Sequence, residues 1–157
     1  MLGPQLDPEV LSEIRALEAA GKFTDPRYGE LVTTHYYPKH VLRMPLEQWP
    51  EPINRTFAHM NGDVYLAMQG PSEFGVVGHA ILKDWDVKAR LSELSVPTLM
   101  IGAAFDTMDP DHMKWMATEV QNGEYLHCPQ GSHLSMYDDQ EVYFEGLINY
   151  INKINSQ

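Results

Sequence analysis

The chain has 157 residues, enough for one domain of ordinary size that buries roughly two thirds of the surface of its unfolded chain. Its 11 Lys and Arg stand against 22 Asp and Glu, a net charge of −11, which argues against a phosphate-tracking nucleic-acid surface and against a basic face for an anionic membrane. A hydrophobic content of 43% belongs to a packed protein rather than a disordered one, and the single cysteine, Cys128, excludes an intrachain disulfide framework and fits a cytoplasmic compartment.

The opening stretch Met1 to Pro8 has neither the positive leader nor the apolar core of a signal peptide. No later apolar run approaches the roughly 20 residues of a membrane span, so the reading expects no leader and no membrane contact. Asp7-Pro8 and Asp25-Pro26 each offer an N-cap followed by proline at the first helical position, which predicts two helix starts. Val10, Leu11, Ile14 and Leu17 form one apolar stripe on the first helix, and Gly21 marks its end. The second runs through Tyr28, Leu31 and Val32, with Pro38 forcing a kink or an end near Tyr37. Pro45, Pro50 and Pro52 mark a loop, followed by a short helix to about Asn61-Gly62 and another before Gly70-Pro71.

Phe74 to Gly78 is a glycine-broken third-strand candidate, and Asp86 to Leu94 reads as a surface helix. Val96 to Gly102 is a nearly continuous apolar run, the pattern of a strand buried on both faces of a parallel sheet. Pro110 to Val120 reads as a helix and Glu124 to Cys128 as a second strand. Asp139 to Asn155 reads as a long amphipathic helix with Tyr143, Leu147, Ile148, Ile151 and Ile154 on one stripe. The order strand, helix, strand, helix predicts an α/β fold, and so few strands predict either a sheet completed by another copy or another chain or a fold whose N-terminal half lies outside these residues.

Asp106 follows the first strand and His133 follows the second, 27 residues later. Catalytic groups of open parallel sheets collect at the carboxyl ends of strands, so the two loops return to one sheet edge. An Asp there holds an imidazole in one tautomer and stabilises the imidazolium that forms when the other nitrogen takes a proton. Taken singly, an Asp in such a loop caps a turn as readily, and a lone loop histidine is more often structural; the pair favours catalysis. Asp109, Asp111 and His112 sit at a helix start, a capping position without metal-ligand spacing, so no metal and no cofactor are expected.

The segments Gly70-Pro71-Ser72-Glu73-Phe74, Leu82 to Asp86, Val96 to Gly102, Phe105 to Pro110 and Gly131 to Met136 resemble the proline iminopeptidase group of α/β-hydrolases over essentially the whole chain. The resemblance implies the C-terminal part of such a fold: a helical cap over residues 1–85, then the last strands and helices of the catalytic core over 86–157. It implies a serine aminopeptidase that releases an N-terminal residue, commonly proline, from peptides or amides, with Asp106 as triad acid and His133 as triad base. Acidic cap residues would hold the cationic substrate terminus, with Glu73 and Glu30 as candidates. Tyr36, Tyr37, Phe57 and Trp85 either line an apolar pocket or build a core.

The family's nucleophile sits in a Gly-x-Ser-x-Gly elbow, which these 157 residues lack. Ser72 follows a helix rather than a strand, Ser132 and Ser135 are too close to His133 in sequence, and Cys128 reads as a buried filler. The chain alone is therefore expected to be inactive, pairing with a complementing N-terminal chain or forming a homo-oligomer. Two alternatives stay open: an esterase or epoxide hydrolase of the same fold, and a non-catalytic remnant that dimerises or binds a partner.

Overall fold

The structure, a computed structural model, describes residues 6–156; the first five residues of the segment read as lacking a leader lie outside that range. The chain divides into two compact units, residues 1–38 with 44–85, and residues 39–43 with 86–157.

The first unit is helical. In α1 (Pro8–Ala19), the Asp7 carboxylate accepts from the amides of Glu9 and Val10, and Gly21 turns the chain out at φ +67°. In α2 (Pro26–Leu31), the Asp25 carboxylate caps the Arg27 amide at 3.0 Å. Both starts fall where the Asp-Pro pairs put them. The interruption expected near Tyr37 takes the form of a π-helical turn over Val32–Tyr36, after which α3 (Tyr37–His40) continues the helix. Pro38 lies just past that turn, where its missing N–H interrupts the run of helical bonds after the one from the Tyr37 amide to the Val32 carbonyl.

Next come α4 (Glu51–Ala58), with Pro52 in its first turn, and α5 (Gly62–Gln69), capped by Asn61. Gly70 ends α5 at φ +88°, and a Cβ there would lie 2.8 Å from the Val77 carbonyl oxygen. Glycine is thus needed both for the turn and for the return of residues 74–78 against it. Those residues form turns, not the third strand considered above. The core consists of Leu6, Ile14, Tyr28, Leu31, Val32 and Tyr36, flanked by Leu17 and Phe74. Each such side chain, fully buried, is worth roughly 1.5–3 kcal/mol.

The second unit holds the sheet. The segment read as a surface helix from Asp86 is a 3-10 helix over Lys88–Glu93, where the Asp86 carboxylate accepts from the Lys88 amide at 2.9 Å but only Leu91 is buried, too little apolar surface to hold an α-helix down. Strands β1 (Thr98–Ala103) and β2 (Gly123–Cys128) pair in parallel, from Thr98 opposite Gly123 to Ala103 opposite Cys128. Helix α6 (Pro110–Glu119), capped by Asp109, joins them, and α7 (Ser135–Asp138) and α8 (Gln140–Asn155) follow.

Among the described residues the sheet has two strands, so β1 is buried only at Gly102 and Ala103, not on both faces along its length. Gly146 brings α8 onto β2, since a Cβ there would lie 2.5 Å from Cδ1 of Leu126. The apolar stripe read on α8 is divided: Tyr143, Leu147 and Ile154 are half-buried, while Ile148 and Ile151 are exposed together with Phe144.

Candidate active site

The chain leaves β1 at Ala103 and turns at once, the Asp106 amide donating to the Ala103 carbonyl at 3.2 Å. Oδ1 of Asp106 accepts from the Met108 amide at 3.0 Å and the Thr107 hydroxyl at 3.1 Å. These bonds fix the carboxylate at the carboxyl end of the strand. After β2, the loop Gln130–Leu134 returns alongside, and the Phe105 amide donates to the Gly131 carbonyl at 3.0 Å.

His133 Nδ1 lies 3.0 Å from Asp106 Oδ1 and 3.3 Å from Thr107 Oγ1. A carboxylate can only accept, so Nδ1 carries the proton and Nε2 presents its lone pair. The Asp106 side chain is 11% exposed and that of His133 46%, so the acid is covered while the imidazole stays accessible. The hydrogen bond to Asp106 raises the His133 pKa above 6.5, against a smaller opposing effect of burial. The two residues that sequence spacing paired are thus in contact.

The segment Lys39–Arg43 also belongs to this unit, and nothing in its sequence announced a place here. His40, 1% exposed, has Nδ1 2.9 Å from the Phe105 carbonyl oxygen, while its own carbonyl accepts from the His133 amide at 3.1 Å. The Arg43 guanidinium lies over the Phe105 ring, 3.5 Å from its centre, and donates to the Gln130 carbonyl at 2.6 Å. The only available signal was the cluster of two basic side chains just past Pro38, which is equally the ordinary ending of a helix.

The serines and the cysteine that could serve as nucleophiles are buried. Ser72, 2% exposed, donates to Glu18 at 2.6 Å and accepts from the Phe74 amide. Ser132 is fully buried between the Val41 carbonyl and the Asp138 carboxylate. Ser135 is 5% exposed, and Cys128 is fully buried, its thiol pKa raised by burial. Asp109 caps α6 and His112 stacks on Trp115. Among the described residues no group of three His, Cys, Asp or Glu is arranged to hold a metal ion, and no helix is long and apolar enough to cross a membrane.

In the first unit Glu73 is half-buried, and Tyr65 donates to its Oε2 at 3.4 Å. Burial holds the Glu73 carboxyl above the usual range, opposed by hydrogen bonds from Tyr65 and Tyr37. Behind it, Tyr28 accepts from the Glu73 amide at 3.1 Å and donates to Glu18 at 3.0 Å. These tyrosine partners were not singled out in the sequence as ligands of Glu73.

Glu30 joins none of these bonds; it is exposed and paired with Arg27 at 3.0 Å. Tyr36 belongs to the core, and Tyr37 and Phe57 pack with Trp49 at ring separations of 5.5–6.3 Å. Trp85 is 66% exposed and outside that cluster.

No protein-family model matches the chain. Proline iminopeptidases do: that of Chitinophaga pinensis is 49% identical over 99% of this chain, and that of Flavobacterium johnsoniae 50% identical over all of it. The Saccharolobus solfataricus enzyme is 30% identical over 91%. The chain spans about half the length of these relatives, 52%, 52% and 45% respectively. Two crystal structures are similar over 97% of the chain and half of their own: VinJ, with TM-score 0.85 and 28% identity, and the Mycobacterium smegmatis proline iminopeptidase, with TM-score 0.81 and 27% identity.

A helix-rich segment followed by a small parallel sheet, matched over this extent, is the C-terminal part of an α/β-hydrolase. Within that class the chain belongs to the proline iminopeptidase family and corresponds to the C-terminal portion of its members.

Proposed function

We propose that these residues supply the substrate-binding cap, residues 1–85, and the acid–base part, residues 86–157, of a hydrolase that releases an N-terminal residue, proline foremost, from a peptide or amide. The observation that carries this reading is the 3.0 Å hydrogen bond from His133 Nδ1 to Asp106 Oδ1 at the ends of adjacent parallel strands, in a chain of this family. Asp106 fixes the His133 tautomer, so that Nε2 takes the proton of an attacking serine hydroxyl. The resulting imidazolium is stabilised by Asp106 and gives its proton to the departing amine. The serine and its oxyanion hole come from a Gly-x-Ser-x-Gly elbow supplied by complementing sequence, since these 157 residues contain none.

Glu73 is the carboxylate for the cationic substrate terminus, because it is half-buried and held by tyrosines rather than neutralised by a basic side chain. Glu30 is the weaker candidate, its charge already answered by Arg27. The protein acts in the cytoplasm, which fits its lone unpaired cysteine.

The test is hydrolysis of a proline aryl amide by this chain alone and by a fusion carrying the N-terminal half of the Chitinophaga pinensis enzyme. Turnover is expected only in the fusion, falling at least ~10³-fold in His133→Ala. Turnover by the chain alone would disprove the complementation, and a fusion indifferent to His133→Ala would disprove the assigned base.

A second reading, a remnant that self-associates without catalysis, is favoured by one observation: Phe144, Ile148 and Ile151 form an exposed apolar stripe on α8.

A further inference from the structure

The loops that carry Asp106 and His133 meet directly, through the Phe105 amide on the Gly131 carbonyl and through His133 Nδ1 against Asp106 and Thr107, and both are also held by the segment Lys39–Arg43. Nδ1 of His40 is 2.9 Å from the carbonyl oxygen of Phe105, the residue before Asp106. The carbonyl of the same His40 accepts the amide of His133 at 3.1 Å. One residue therefore grips the acid's loop with its ring and the base itself with its main chain.

Its neighbours add to the hold on the His133 side. The Val41 carbonyl accepts from the Leu134 amide and from the Ser132 hydroxyl, each at 2.9 Å, and the Arg43 amide donates to Asp138 Oδ2 at 2.9 Å. Arg43 covers the Phe105 ring and binds the Gln130 carbonyl, again one loop with each contact.

We infer that His40 is a positioning residue, which sets the separation of Asp106 and His133 by holding the loop of each. The inference rests on the proposed roles of that pair. Burial lowers the His40 pKa, outweighing the opposing effect of the Phe105 carbonyl. The ring is then neutral, and its Nδ1 must bear the hydrogen that the carbonyl accepts. Loss of that bond leaves the main chain just before Asp106 held by its amides alone, on Gly131 and Ala103, with its Phe105 carbonyl released, and small displacements of a reacting group cost much in rate, on the order of 10²-fold for 1 Å. The binding residues of the first unit are untouched by such a change, so the loss falls on kcat and not on KM.

The experiment is an NMR titration of the His133 ring in the 157-residue chain, for the wild type, Asp106→Asn, His40→Ala, His40→Asn and His40→Gln. An Asn amide nitrogen can stand where imidazole Nδ1 stands, whereas a Gln amide reaches toward Nε2. The wild-type His133 should titrate above 6.5, and Asp106→Asn and His40→Ala should both bring it back toward that value. His40→Asn should restore the wild-type titration and His40→Gln should not. In the active fusion, His40→Ala should lower kcat about 10²-fold at constant KM, with His40→Asn recovering most of it.

A His133 titration that moves in Asp106→Asn but not in His40→Ala overturns the inference and leaves the pair standing. If His40→Ala does not fold, equal titrations in the Asn and Gln variants overturn it equally. A titration unmoved by Asp106→Asn overturns the pair, and this inference with it.

Discussion

His133 Nδ1 and Asp106 Oδ1 stand 3.0 Å apart, with the carboxylate covered and the imidazole nearly half exposed. The bond stabilises imidazolium, so the His133 pKa rises above 6.5. A general base works only when neutral. The acid limb of kcat/KM should therefore fall above pH 6.5, activity rising with pH through that value. Asp106→Asn should move the limb down and cut kcat by ~10⁴-fold, the cost of losing the tautomer hold. The stability contribution has the opposite dependence: it is complete below 6.5 and is lost as pH rises through the folded value. A pH–rate profile of the active fusion checks this, and a limb unmoved by Asp106→Asn contradicts it.

Glu73 predicts a trade between binding and stability. Its pKa is raised by burial, so ionisation disfavours the folded state. Stability from this group is fully present below about 4.5 and lost as pH rises through the folded value. Glu73→Gln should thus unfold at a higher temperature than the wild type at pH 7, with the gain disappearing near pH 4. On the role proposed for Glu73, the same change should remove a charge-assisted contact to the substrate terminus, about 1.5–3 kcal/mol, and raise KM roughly ten- to hundredfold. Thermal unfolding at the two pH values, with KM for a proline amide, measures both effects.

The helix starts at Asp7-Pro8 and Asp25-Pro26 were legible because a cap acts on amides two or three residues away. The contact of Asp106 with His133 was legible from strand order, since parallel neighbours must return their loops to one edge. His40 was not: its partners lie 65 and 93 residues on, and no periodicity or local motif encodes a contact across such a separation. Tyr37 stands 36 residues before Glu73 and meets it only when the segments pack, whereas Tyr65 is eight residues away, but the end of α5 and the turn at Gly70 lie between them and no local motif pairs the two. Helical spacing does not say which flank of a wide apolar face meets the sheet, so the α8 stripe divides between half-buried and exposed residues.

The first unit depends on a small core, and Ile14 is its fully buried centre. Ile14→Ala removes three methyl or methylene groups from a packed site and should cost about 2–5 kcal/mol. Val64→Ala, at a position 57% exposed, should stay within about 0.5 kcal/mol of the wild type. Urea midpoints of the two variants compare them directly, and similar midpoints would contradict the assigned core.

Phe144, Ile148 and Ile151 recur at spacings of four and three, so they share one face of α8, 41%, 53% and 46% exposed. Gly146 and Tyr150 lie on the other side, where the Leu126 side chain approaches Gly146. A stripe of three large apolar side chains gains from being covered, and on the second reading proposed above a second copy of the chain covers it. Light scattering should therefore show concentration-dependent association of the wild type. Joining Ile148→Glu with Ile151→Glu should return the chain to a monomer at little cost to folding, since both positions are exposed, while the His133 titration stays unchanged. A wild-type chain that remains monomeric at ~1 mM excludes self-association through this face, because contacts weaker than about 4 kcal/mol would have no function at cellular concentrations.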